Sequence, residues 1–218
     1  VRHKFEDYMK SIKYIIILLL LLIPLESVSA DTEKDAAFND LIESLRDEGT
    51  IPRERGNVIS FGNYEDQLSN MGIAQWFTIT EADNFVLSAK VSWLSASETP
   101  SGSVSGCGFV FGADPESTNH LMASIRMDGF VYVSGTKNMS ALSYGRYYYA
   151  NPWWEGSSNI MLILNGDTIS FYMDGQKMFS YPGVLIQGNG VGLATLSGTN
   201  KDFGTKCIWE DIYLFSWK

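Results

Sequence analysis

Residues 158–181, SNIMLILNGDTISFYMDGQKMFSY, constrain the fold more than any other stretch of the chain. Residues 160–164 are an unbroken apolar run, as expected of a strand buried on both faces. Asn165-Gly166-Asp167 follows, a triplet that tolerates positive φ and closes tight turns. Ile169, Phe171 and Met173 then alternate with Thr168, Ser170 and Tyr172, the period of a half-buried strand. Asp174-Gly175 is a two-residue hairpin signal between apolar flanks. Three strands and two turns predict an antiparallel meander, which places the chain in the all-β class.

The same pattern continues on either side. Phe85, Leu87, Ala89, Val91 and Trp93 alternate with Asn84, Val86, Ser88, Lys90 and Ser92, predicting one long half-buried strand. Residues 95–105 are rich in Ser, Gly and Pro and read as a loop. GCGFVFG at 106–112 is an apolar strand whose glycines imply close backbone approach. Residues 120–126 and 130–134 form a second hairpin across Asp128-Gly129, and strands at 191–196 and 207–217 flank a loop at 197–204. A short strand at 58–61 interrupts an otherwise polar loop over 51–70. About nine or ten strands with turns of this chemistry predict a two-sheet antiparallel sandwich over residues 53–218.

One helix is expected, at 31–48, because Phe38, Leu41, Ile42 and Leu45 fall on one stripe. Thr32 would cap it, and Gly49 and Pro52 would end it, so helix and connector occupy 31–52. Packing against the side or end of the domain is the expected role; a detachable linker or partner helix is the alternative. Ahead of it, Lys10 and Lys13, an apolar run at 14–23 and small residues at Val28 and Ala30 have the form of a secretory signal, residues 1–30. Met9 is the expected translation start, since residues 1–8 lack signal character. The run is shorter than the about 20 residues of a membrane span, so no stable span is expected after cleavage; a retained anchor is the alternative.

The net charge is −9, and removing a segment with four basic and three acidic side chains takes it to −10. Such a chain offers no electrostatic footprint for nucleic acid or anionic lipid. The expected protein is exported, either secreted or held at a bacterial cell surface. Cys107 and Cys207 are its two cysteines. In an oxidising compartment they are expected to form a disulfide, worth on the order of 4–5 kcal/mol for a loop of about 100 residues; two buried thiols are the alternative. A metal site built on histidine is not expected, because His120 is the one histidine beyond the signal.

The order of these segments carries a resemblance. The strand NFVLSAKVSW, then GCGFVFG, the His120-Leu121 strand, the DG hairpin, NIMLILNGDTISFYMDGQKMF, GVGLATLSGTN and the final C-x-W-x-D-I-x-L strand follow one another. This resembles the concanavalin A-like lectin/glucanase superfamily of jelly-roll sandwiches over roughly 61–218. More narrowly it is similar to small exported domains from filamentous green non-sulfur bacteria. The resemblance implies the fold; function varies within the superfamily from lectins and adhesion modules to glycosidases. Catalytic family 16 glycosidases of that superfamily carry an E-x-D-x-x-E strand. Here Glu81 and Asp83 are followed by Val86 where the second glutamate belongs, so the motif is incomplete. No catalytic residue is therefore assigned. No cofactor is assigned either, although the resemblance leaves Ca2+ open.

Two stretches are candidate binding surfaces. YGRYYYANPWW at 144–154 supplies Tyr144, Arg146, Tyr148, Trp153 and Trp154. Aromatic faces stack on the C–H surfaces of sugar rings and also anchor protein contacts. The structural alternative turns Tyr147 and Tyr149 into a strand and lets the tryptophans cap an open end. In the 169–181 hairpin, pairing Tyr172 with Lys177 and Ser170 with Phe179 puts Tyr172, Lys177 and Phe179 opposite the core. That face could cradle a glycan or lie beneath the helix. The functional expectation is an exported, non-catalytic binding module for a glycan or cell-surface polysaccharide. The alternatives are a glycosidase-like enzyme resembling the keto-disaccharide hydrolase branch, and a protein-interaction or adhesion module.

Overall fold

The segments that alternate in sequence pair in space. The computed structural model describes residues 26–114 and 116–218, with side chains from residue 33 on. The bulk of the expected signal, residues 1–25, lies outside them. The strands, in chain order, are β1 Asn57–Phe61, β2 Tyr64–Leu68, β3 Ile73–Glu81, β4 Asn84–Ser95, β5 Gly106–Ala113, β6 His120–Arg126, β7 Phe130–Lys137, β8 Ser140–Tyr148, β9 Glu155–Asn165, β10 Thr168–Met173, β11 Gln176–Tyr181, β12 Gly190–Ser197 and β13 Thr205–Trp217. A larger sheet has the order β1-β13-β4-β9-β10-β11, with β2 also on β13, and a smaller one has the order β3-β12-β5-β6-β7-β8. Every pairing is antiparallel. The architecture is the expected jelly-roll sandwich.

The core forms where inward phases meet. Phe85, Leu87, Val91, Leu162, Leu164 and Phe171 of the larger sheet share one buried cluster with Phe109, Phe111, Ile125, Val133 and Leu193 of the smaller. Each such side chain contributes about 1.5–3 kcal/mol by leaving water. Cys107 on β5 and Cys207 on β13 form the expected disulfide, linking the two sheets through this cluster.

Two register shifts depart from the simple period of two. In the central hairpin, Met173 opposes Gln176 and Tyr172 opposes Lys177 as expected, but then Phe171 opposes Phe179 and Met178 is left over. The bulge moves Phe179 to the core face, where it stacks on Phe171 at 5.8 Å and on Tyr147 at 4.5 Å. The expectation that Phe179 faces away from the core is therefore corrected. In β8, Val133 opposes Gly145 and Ser134 opposes Ser143, leaving Tyr144 extra. Consequently Leu142 and Tyr144 face inward, and so do Tyr147 and Tyr149 beyond the bulge.

The helix α1, Glu26–Asp47, starts earlier than expected. Between Pro24 and Gly49 there is no proline or glycine to stop it. Thr32 thus lies inside α1 rather than at its cap, and the expected cleavage point after Ala30 lies within the helix too. Gly49, at φ 70, ends it in the left-handed conformation that a helix C-terminus favours. The chain divides after Asp47 into a unit holding α1 and the sandwich unit Glu48–Lys218.

Candidate functional site

Residues 149–154 link β8 to β9 across one end of the sandwich, and the chain on both sides pins them. The Tyr149 N–H donates to Gly129 O at 2.9 Å, and the Tyr149 hydroxyl donates to Arg126 O at 3.1 Å. The Ser95 N–H donates to Trp154 O at 2.8 Å. Gly129 has φ 86, and a Cβ there would meet Ala150 O at 2.0 Å, so only glycine lets the β6–β7 turn approach this segment. Between the anchors, Asn151-Pro152-Trp153 turns outward, and Trp153 is 63% exposed. Its indole is thus presented to solvent, as is the ring of Tyr148, 59% exposed.

Trp153 stands between two depressions. One, of about 700 Å³, is lined by Trp93, Leu94, Trp153, Trp154, Glu155 and Gly156. The other, of about 220 Å³, shares Trp93, Trp153 and Gly156 and adds polar groups from Asn151, Ser157, Ser158 and Asp174. Trp93 forms the common floor. It is the last inward-facing aromatic of β4, sits opposite Gly156 of β9, and is 7% exposed. A Cβ at position 156 would lie 2.4 Å from Trp93 Cζ2, so the indole occupies the space that glycine leaves. The Trp93 Nε1–H is buried without an acceptor among the described residues. At the rim, the Asp174 carboxylate accepts from Ser158 Oγ at 3.0 Å and from the Asn159 N–H at 2.9 Å, which fixes the β10–β11 turn.

The outer face of the smaller sheet adjoins this end. Tyr148 is 59% exposed, packs edge-on against Phe130 at 5.5 Å, and donates its hydroxyl to Asn151 Oδ1 at 3.2 Å. The Arg146 guanidinium lies over the Phe130 ring at 4.8 Å, and that of Arg126 over the Tyr132 ring at 5.1 Å. The Tyr132 hydroxyl donates to Asp128 Oδ2 at 2.6 Å. Burial pulls the Arg126 guanidinium down to about 10, partly opposed by Tyr132 and Asp128. Burial and then the bond to Asp128 raise the Tyr132 phenol, partly opposed by Arg146.

The residues singled out in sequence therefore separate into groups. Trp153 and Trp154 line the end groove, and Arg146 and Tyr148 lie on the adjoining face. Tyr144 does not join them: its bulge turns it inward, where it packs on Tyr181 at 5.4 Å and its oxygen accepts the Leu185 N–H at 3.2 Å. Tyr172 and Lys177 are on the larger sheet, with the ammonium 5.4 Å from the Tyr172 ring centre, and Phe179 is in the core. Sequence reasoning took Trp93 as core and missed Gly156, Arg126, Phe130 and Tyr132 as site residues. The alternation FVYV in β7, which sets two aromatics on the polar phase, was the available signal.

The acidic residues of the incomplete glycosidase motif are split by a turn: Glu81 ends β3, Asp83 lies in the turn, and Val86 is buried in β4. Glu210 is paired with Lys90 at 3.0 Å. His120 donates from Nδ1 to Thr118 O at 2.9 Å and packs on Trp76 at 5.0 Å; burial lowers its pKa, partly opposed by that hydrogen bond. Among the described residues no three His, Cys, Asp or Glu side chains are grouped to hold a metal ion.

No family model and no curated protein matches this chain. Solved structures do. The carbohydrate-binding module CBM66 from Bacillus subtilis superposes with a TM-score of 0.52 at 10% identity, over 71% of this chain and 92% of that one. A fructosyltransferase from A. japonicus superposes with a TM-score of 0.50 at 13% identity, over 75% of this chain but 26% of the enzyme. This likeness is one of fold. It places the sandwich beside those found in carbohydrate-binding modules and glycoside-processing enzymes.

Proposed function

We propose that the protein is an exported, non-catalytic module that binds a polysaccharide in the groove around Trp153. The observation that carries this reading is the position of Trp153, 63% exposed between two depressions that share Trp93 as floor. An indole held by pinned backbone offers a flat apolar face to a sugar ring at small entropic cost. Asn151, Ser157 and Glu155 around it supply acceptors and donors for ring hydroxyls. Export is supported by the disulfide, which belongs to oxidising compartments. The fold shared with a carbohydrate-binding module agrees with the reading.

The test is affinity electrophoresis and pull-down of the purified chain on a panel of soluble and insoluble polysaccharides, alongside Trp153→Ala. Saturable retention by at least one polymer is expected, with about tenfold or greater weakening in Trp153→Ala and an unchanged melting temperature. Retention that does not depend on Trp153, or none on any polymer, would refute the proposal.

A further inference from the structure

Arg126 and Arg146 on the outer face of the smaller sheet form no salt bridge among the described residues. Arg126 is 6% exposed. Its Nε donates to Ser124 Oγ and its Nη1 to Ser103 O, both at 2.8 Å, and its Nη2 has no acceptor among the described residues. It lies beside Gly106, where a Cβ would come within 3.0 Å of its Cδ. Asp128 is the carboxylate near it, yet both Asp128 oxygens are engaged by neutral donors, Oδ1 by the Phe130 N–H at 3.3 Å and Oδ2 by the Tyr132 hydroxyl. The Asp128 carboxylate partly offsets the cost of burying this guanidinium. Arg146 opposes Tyr132, and Phe130 opposes Tyr148, so guanidinium and ring alternate across the β7–β8 pair. The ribbon reaches the groove through Tyr148 and its bond to Asn151, which lines the same depression as Trp153.

We propose that this ribbon is a carboxylate-reading subsite, and that the polysaccharide bound beside Trp153 carries uronate residues. The inference rests on the glycan reading of the Trp153 groove and names its substrate class. Stacked arginines are pre-oriented, and their planar forks match the two oxygens of a carboxylate. Long-range attraction does not account for such a preference, because a chain of net charge −9 repels polyanions at a distance. Only local contacts overcome that repulsion.

The experiment uses the full chain at about 0.15 M salt, where surface fields are screened within about 8 Å. Polygalacturonate and alginate are compared with their carboxyl-reduced counterparts, which keep the linkages and lose the charge; dextran sulfate is the third arm. The acidic polymers are expected to bind about tenfold more tightly than the reduced ones. Arg146→Gln, an exposed substitution on an edge strand, is expected to collapse that ratio toward one. Equal, Trp153-dependent binding of acidic and reduced forms would overturn the subsite and leave the glycan reading standing. A ratio unchanged in Arg146→Gln, or preference for dextran sulfate over both uronates, would also overturn it. Absence of binding to every polymer would remove both.

Discussion

Replacing both cysteines, Cys107→Ala with Cys207→Ala, tests the energetic architecture of the sandwich. The bridge joins β5 of the smaller sheet to β13 of the larger, spans a Cα–Cα distance of 5.9 Å, and closes a sequence separation of 100 residues. Opening a loop of that length returns about 4.7 kcal/mol of entropy to the denatured chain in the loop-closure account. Both sulfurs are fully buried, so their deletion leaves a small void that adds about 1 kcal/mol. For a domain of this size each kcal/mol moves the melting temperature by about 2–4 °C, so a fall of about 10–20 °C is expected. Thermal unfolding followed by circular dichroism, with urea unfolding followed by tryptophan fluorescence, measures both quantities. A loss below about 1 kcal/mol would refute the reasoning, because it would mean that the denatured chain is not constrained by the bridge.

Three further outcomes are expected. Gly156→Ala places a methyl against the Trp93 ring, where a Cβ would sit 2.4 Å from Cζ2; a loss of about 1–3 kcal/mol in urea unfolding, with a red-shifted indole emission, checks it. Phe179→Ala is expected to cost about 3–5 kcal/mol, as for a core phenylalanine, whereas Tyr148→Ala, on the solvent face, is expected to cost under about 1 kcal/mol. Comparing the two by urea unfolding tests the bulge at Met178. Burial lowers the His120 pKa below its ordinary 6.5, so in acid the unfolded chain takes up a proton that the folded chain resists. The stability from this group is complete above pH 6.5 and falls as pH drops through the folded pKa. His120→Asn is expected to flatten that part of the stability–pH profile, and an unflattened profile would contradict the assignment.

Periods and turns carried most of the fold. Ile169, Phe171 and Met173 alternate as their strand requires, and Asp174-Gly175 closes a hairpin with φ values of 47 and 78. What escaped was the effect of one extra residue. Tyr144 and Phe179 look like solvent-phase aromatics until Tyr144 and Met178 are left unpaired and the phase reverses. Nothing local in the sequence announces either bulge, because both are settled by what the opposite strand can pack. Strand β2 was missed, and β8 was foreseen only as the alternative that turns Tyr147 into a strand, for a related reason: YEDQL and SALSYGRYY owe their pairing to neighbours rather than to apolar content. The site was half legible. Clustered aromatics pointed to Trp153, but the floor needs Trp93 and Gly156 from separate strands, a juxtaposition set by the β4–β9 register.

The most direct test of the central claim is an indole N–H spectrum of the 15N-labelled protein, titrated with oligosaccharides of whichever polymer retains it. The chain has six tryptophans, so each side of the molecule is reported by name. The Trp93 and Trp153 signals are expected to move saturably, while Trp209, fully buried in the core, holds still. Shifts confined to Trp76 or Trp217, or no shift at saturating ligand, would contradict it.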